Sequence, residues 1–147
     1  MSNSTNTSIA TFVIKVNGNL LPTEMNVLSV QVTKQVNGIA KAMITIPDGS
    51  ADTGTFDVSS SNTFVPGNLI TIEAGYDAKN SLLFSGMVTG QNLTINQQIG
   101  SALLVECHDM CIKMTVAQNS KTYFNTSDSA IIESIVQNYS GISATVT

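Results

Sequence analysis

At 147 residues with a formal net charge of −4, the chain has room for one domain, or for one domain and part of a second. Charged residues make up only 11% and just 6 are Lys or Arg, which argues against nucleic acid as the main partner. No apolar run approaches the roughly 18 residues of a membrane span, and Cys107 and Cys111 read as reduced thiols rather than a disulfide.

Residues 1–8 are polar and read as a disordered N-terminus. They lack the basic and apolar regions of a secretory signal, so the chain is expected in the cytoplasm when it assembles. Ile9 to Val16 is rich in β-branched residues and stops at Asn17-Gly18, a strong turn signal. Leu28, Val30 and Val32 then alternate with Ser29, Gln31 and Thr33. After Asn37-Gly38, Ala40, Ala42, Ile44 and Ile46 alternate with Lys41, Met43 and Thr45. This is the pattern of an antiparallel hairpin with one face in a core. Pro47-Asp48-Gly49 ends the second strand, and residues 50–63 form a long polar loop.

Val65-Pro66-Gly67 is a turn, since Pro66 presets its own φ and Gly67 supplies a positive one. Ile70, Ile72 and Ala74 alternate with Thr71 and Glu73. The return strand Leu82 to Val88 carries Gly86, where a missing Cβ predicts a bulge or a close backbone approach. Gln91 to Ile95 extends that strand or begins another, and Ala102 to Cys107 returns. Residues 108–116 read equally as a bulged strand or a helical turn, and Lys121 to Phe124 as a short strand.

One helix is expected over 128–139. Ser127 suits its N-cap, Asp128 sits at the positive end of its dipole, and Gly141 suits the position just past its end. Ile131, Ile135 and Tyr139 make an apolar stripe, expected to pack on the domain's own sheet. Residues 142–147 alternate again and read as the start of a further strand in a truncated chain.

Chemistry is sparse. In Cys107-His108-Asp109-Met110-Cys111 a strand would point Cys107 and His108 to opposite faces, which defeats a nucleophile–base pair. Two thiols and one imidazole fall short of a structural zinc site. Asp48-Gly49 and Asp52 hint at calcium, but an Asp-Gly pair is more often a turn. The ten acidic residues offer no pair with a distinguishing context, and phosphate-binding loops and nucleophile elbows are absent. No catalytic, cofactor-binding or metal-ligating residue is assigned, and no enzyme is expected. The residues singled out are the turn and bend positions Asn37, Gly38, Pro66, Gly67 and Gly86.

Three stretches, residues 28–49, 64–76 and 82–109, run strand, Val-Asn-x-Ile-x-x-Ala, strand, Asp-Gly, Phe-x-Pro-Gly and Phe-Ser-Gly-x-Val in order. Together with Ser127, Asp128, Ile131, Ile132 and Ile135, this resembles the N-terminal part of the VgrG (Rhs-element Vgr) family. Those are type VI secretion spikes related to phage tail hubs. The resemblance implies a mainly β (α+β) fold, an antiparallel β-barrel of the phage tail hub type with one helix near the C-terminus. Its domains would be a hub barrel over 9–126 and, over 127–147, the helix and the start of the next segment. It also implies a structural part of a contractile injection system, joining inner tube to puncturing spike. The partners would be the chain itself as a homotrimer, inner-tube and baseplate proteins and possible effector cargo, without nucleic acid or direct membrane insertion. The protein would leave the cell with the apparatus. A carbohydrate-binding β-module, or a phage tail protein acting on the cell wall, is the alternative.

Overall fold

A computed structural model describes residues 9–50, 53–77, 79–96 and 100–145. The expected disordered segment 1–8 lies outside the described residues, as does the end of the last expected strand at 146–147. The chain divides into two compact units, Met1–Asp109 and Met110–Thr147.

The first unit is one antiparallel sheet. Its strands are β1 (Ala10–Val16), β2 (Asn19–Leu20), β3 (Ser29–Thr33), β4 (Lys41–Pro47), β5 (Leu69–Tyr76), β6 (Lys79–Asn96) and β7 (Gly100–His108). Their order across the sheet is β2-β1-β5-β6-β7-β4-β3. The long strand β6 joins the two halves. Its first half pairs with β5 and its second half with β7. Two extra residues bend it. Leu83 is left over where Ile72 faces Phe84 and Glu73 faces Leu82, and Thr89 where Val88 faces Cys107 and Gly90 faces Glu106. Between these bulges lies Gly86, buried against the main chain of β7. A Cβ there would collide with the His108 carbonyl oxygen and with the Phe84 ring.

The bend folds the inner faces of the two halves onto one core. Ile14 and Val16 of β1, Ile44 and Ile46 of β4, Ile70 and Ile72 of β5, Phe84 and Val88 of β6, and Leu103, Val105 and Cys107 of β7 form a single buried cluster. Phe64, fully buried, joins it from the loop before β5. The Val65–Asn68 turn is fastened to the bend by the Gly67 N–H donating to the Val88 carbonyl and the Val88 N–H donating to the Asn68 carbonyl.

The expected closed barrel of hub type is corrected. The sheet is mainly β and antiparallel but open, with β2 and β1 at one end and β3 at the other. The physical reason lies in residues 21–25. The Leu21 N–H still reaches the Ile14 carbonyl at 2.9 Å, but Pro22, which has no N–H, opens a turn closed by the Met25 N–H on the Pro22 carbonyl, and pairing on this flank of β1 stops there among the described residues. When the chain resumes as β3 it pairs with β4 alone.

In the second unit, residues 110–115, left open between strand and helix, form a 3-10 turn (Met110–Thr115), and a helix α1 runs over Asp128–Val136. Lys121 to Phe124, read as a strand, is irregular. The Ser127 hydroxyl accepts the Ala130 N–H at the helix N-terminus. At the other end the Asn138 amide donates to the Ser134 carbonyl at 2.8 Å. Gly141, with φ +85°, falls beyond the helix, beside Met110. None of the α1 residues is buried, so the apolar stripe is not sunk into a core. Among the described residues no helix is long and apolar enough to cross a membrane.

Candidate functional site

The open end of the sheet is a notch of about 630 Å³ between β1 and β3. Its walls follow from two alternations, one of side chains and one of main-chain groups. On β1 the Asp77 N–H donates to Ile9 and the Asn17 N–H to Leu69, so odd-numbered residues bond β5. Even-numbered residues turn their main-chain groups to the opposite flank. There β2 and Leu21 serve only the end from Ile14 to Val16. Ala10 and Phe12 have no strand neighbour on that flank among the described residues.

The same reasoning applies to β3. The Asp48 N–H donates to the Ser101 carbonyl, so even-numbered residues of β4 bond β7. Lys41, Met43 and Thr45 therefore bond β3 opposite Thr33, Gln31 and Ser29. Val30 and Val32 are left with main-chain groups facing away from β4. Their side chains pack against the core. Each edge thus brings two residues, Ala10 with Phe12 and Val30 with Val32, whose side chains line the notch and whose main-chain groups have no strand partner on that flank among the described residues.

The lining is apolar. Phe12 is 53% exposed, Leu28 53%, Tyr76 63% and Leu83 41%, although β1 and β5 bury Ile14 and Ile72 on the same inner face. Among the described residues no charged side chain contributes. Lys15 pairs with Glu73 at 2.6 Å on the outer face of β1 and β5, both side chains about a third exposed.

Two polar features outside the notch organise the fold. Asp48, buried at the end of β4, accepts the Gly49 and Val58 N–H groups on Oδ1, both at 3.0 Å, and the Ser59 N–H on Oδ2 at 2.8 Å. Burial pushes this carboxyl up, but the Ser59 hydroxyl and those three N–H donors outweigh it and hold it below its ordinary value. Asp48 thus pins the long loop to the sheet. The sequence suggested only a turn, and the Asp-Gly pair could have signalled the bond to Gly49. The bonds ten and eleven residues on had no signal.

The second feature is the Cys107–Cys111 stretch. Cys107 faces the core, its thiol pushed up to about 12 first by burial and then by the neighbouring Glu106 charge. His108 faces outward, with Nδ1 2.8 Å from the Thr89 hydroxyl and Nε2 3.9 Å from Glu106. The Thr89 hydroxyl also lies 3.2 Å from the Glu106 carbonyl, and these contacts tie the β6 bulge to β7. Thiol and imidazole lie on opposite faces and form no pair. Among the described residues no group of three or more His, Cys, Asp or Glu could hold a metal ion.

The turn positions lie apart from the notch. Asn37 has φ +58° and Gly38 donates its N–H to Gln35, in the β3–β4 connection. Pro66 and Gly67, with φ +102° at the glycine, form the turn before β5, and Gly86 sits at the bend of β6. None of them is among the residues lining the notch.

A family profile described as the Alg8 N-terminal domain matches residues 6–147, nearly the whole chain. The chain belongs to the Alg8 N-terminal domain family. No curated protein matches it. The resemblance to VgrG is corrected by this match, because the family shown carries the Alg8 name and not that of VgrG or the phage tail hubs. The function drawn from that resemblance is withdrawn with it, together with its type VI secretion, baseplate and spike setting. The Alg8 match lends nothing to the carbohydrate-binding or cell-wall-acting alternative either. It likewise overturns the expectation that the chain is no enzyme, which the family now shown does not carry.

Proposed function

We propose that this Alg8 N-terminal domain is an assembly module that docks other protein through its notch, beginning with further copies of the same chain. One observation carries the reading. Four large apolar side chains, Phe12, Leu28, Tyr76 and Leu83, are each more than two-fifths exposed, and all line one concave feature. Scattered apolar residues are ordinary on protein surfaces, but a contiguous apolar concavity favours a partner. The sparse charge of the chain supports the same reading, since interface cores are depleted in charged residues.

Sedimentation velocity over a wide range of concentration tests it. Reversible self-association that Phe12→Asp abolishes while the far-ultraviolet circular dichroism stays unchanged is the expected result. A chain that stays monomeric at every concentration, or an oligomer indifferent to Phe12→Asp, overturns it.

A further inference from the structure

We infer that the notch takes an extended, uncharged peptide strand of a partner protein, which inserts between β1 and β3 and hydrogen-bonds to their free edges. The inference rests on the notch being a docking surface and specifies what docks there.

Main-chain chemistry comes first. Ala10 and Phe12 on one wall, and Val30 and Val32 on the other, point their N–H and C=O groups away from their paired neighbours. Unpaired edge groups of this kind are what an added strand satisfies. Water can satisfy them too, so the edges alone do not decide the occupant.

Side chains decide it. The same four residues carry apolar side chains on the inner face, and Leu83, the extra residue of the first bulge, lines the notch with them. An occupant must therefore combine main-chain donors and acceptors with apolar groups at alternate positions. A peptide strand does both, whereas a lipid or other apolar small molecule would cover the side chains and leave the edges unpaired. Charge narrows the occupant further. With no charged lining residue among those described, a charged side chain entering the notch would lose hydration with no counter-ion from them in return.

Topology sets the direction. Five antiparallel steps separate β1 from β3, so the two run in opposite directions. An inserted strand is antiparallel to one wall and parallel to the other. Among the described residues β1 and β3 do not pair with each other.

The test uses the whole chain and a capped, uncharged octapeptide alternating valine and threonine, followed by amide hydrogen exchange and NMR titration. Saturable binding is expected, with exchange at the Ala10, Phe12, Val30 and Val32 amides slowed at least tenfold. Replacing the peptide's valines by lysine should weaken binding at least tenfold. Ala10→Pro removes one edge N–H that β5 does not use, so it should weaken binding by a similar factor without changing the melting temperature. Binding that leaves those four amides unprotected would mean an apolar pocket only, and would overturn the inference. So would amides already protected in the free chain, which would mean that the edges close on each other. No binding at millimolar peptide also overturns it. If the peptide fails while Phe12→Asp still dissolves the self-associated chain, strand insertion falls and the assembly reading stands.

Discussion

The strands β1 and β5 are each two different structures along their length. At one end Ile14, Val16, Ile70 and Ile72 are buried. At the other, Ala10, Phe12, Ala74 and Tyr76 continue the alternation on the same inner face, yet Phe12 and Tyr76 are more than half exposed. The alternation assigns a side chain to a face, whereas burial requires something opposite that face. At the packed end β4 and β7 supply it through the bend of β6. At the notch end Val27, Leu28, Val30 and Val32 form only the far wall of an open concavity, so Phe12 and Tyr76 stay more than half exposed. The same pattern therefore builds a core at one end and an open apolar notch at the other.

The widest separation between the two ends should come from truncating one apolar residue in each. Ile44→Ala, at a position with no exposure, is expected to cost about 2–5 kcal/mol in urea unfolding. If it costs less than about 1 kcal/mol, the packed end is not the stabilising half. Gly86→Ala attacks the device that brings the halves together. Its Cβ would meet main chain that cannot swing aside, so a loss of roughly 1–3 kcal/mol is expected by the same measurement.

Asp48→Asn tests whether the loop belongs to the packed end. Losing a charged acceptor of three N–H groups should cost about 1.5 kcal/mol. The pH dependence has a definite sign. The folded carboxyl lies below its unfolded value, so its contribution is complete above about pH 4 and is lost as pH falls through the folded value. A variant whose stability falls in parallel with the wild type below pH 4 would contradict the clamp.

Phe12→Ala should cost under about 1 kcal/mol, because the ring is already half in water, while weakening self-association. A loss as large as that for Ile44→Ala would erase the contrast between the ends. The smallest effect concerns reactivity alone. Cys107, buried and with its thiol pushed up to about 12, should resist alkylation at pH 8 until urea unfolds the chain. Mass spectrometry of the labelled peptide reads this directly.

Much of the fold was legible along the chain. Apolar alternation located the strands around Ile14, Ile44, Ile72 and Val105, because a half-buried strand writes its period into side-chain type. Val65-Pro66-Gly67 and Ser127 announced a turn and a helix start for reasons held within four residues. The 3-10 turn at Met110–Thr115 and the irregular 121–124 segment were not legible, since short apolar runs suit several conformations. The notch was invisible for another reason. Its four edge residues sit on two strands, and no residue type reports whether a strand has a neighbour.

The sequence by itself determined which side chains face inward, where the chain turns, and that little charge would be available to any interface. It determined these because strand period, turn chemistry and composition are local quantities. Only the tertiary structure decided that the sheet stays open, that Gly86 presses on the His108 carbonyl, that Asp48 holds a loop ten residues away, and that Phe12 is left uncovered. Each of these depends on which segments meet in space, and pairing between distant strands is set by the whole bent sheet rather than by any window of residues.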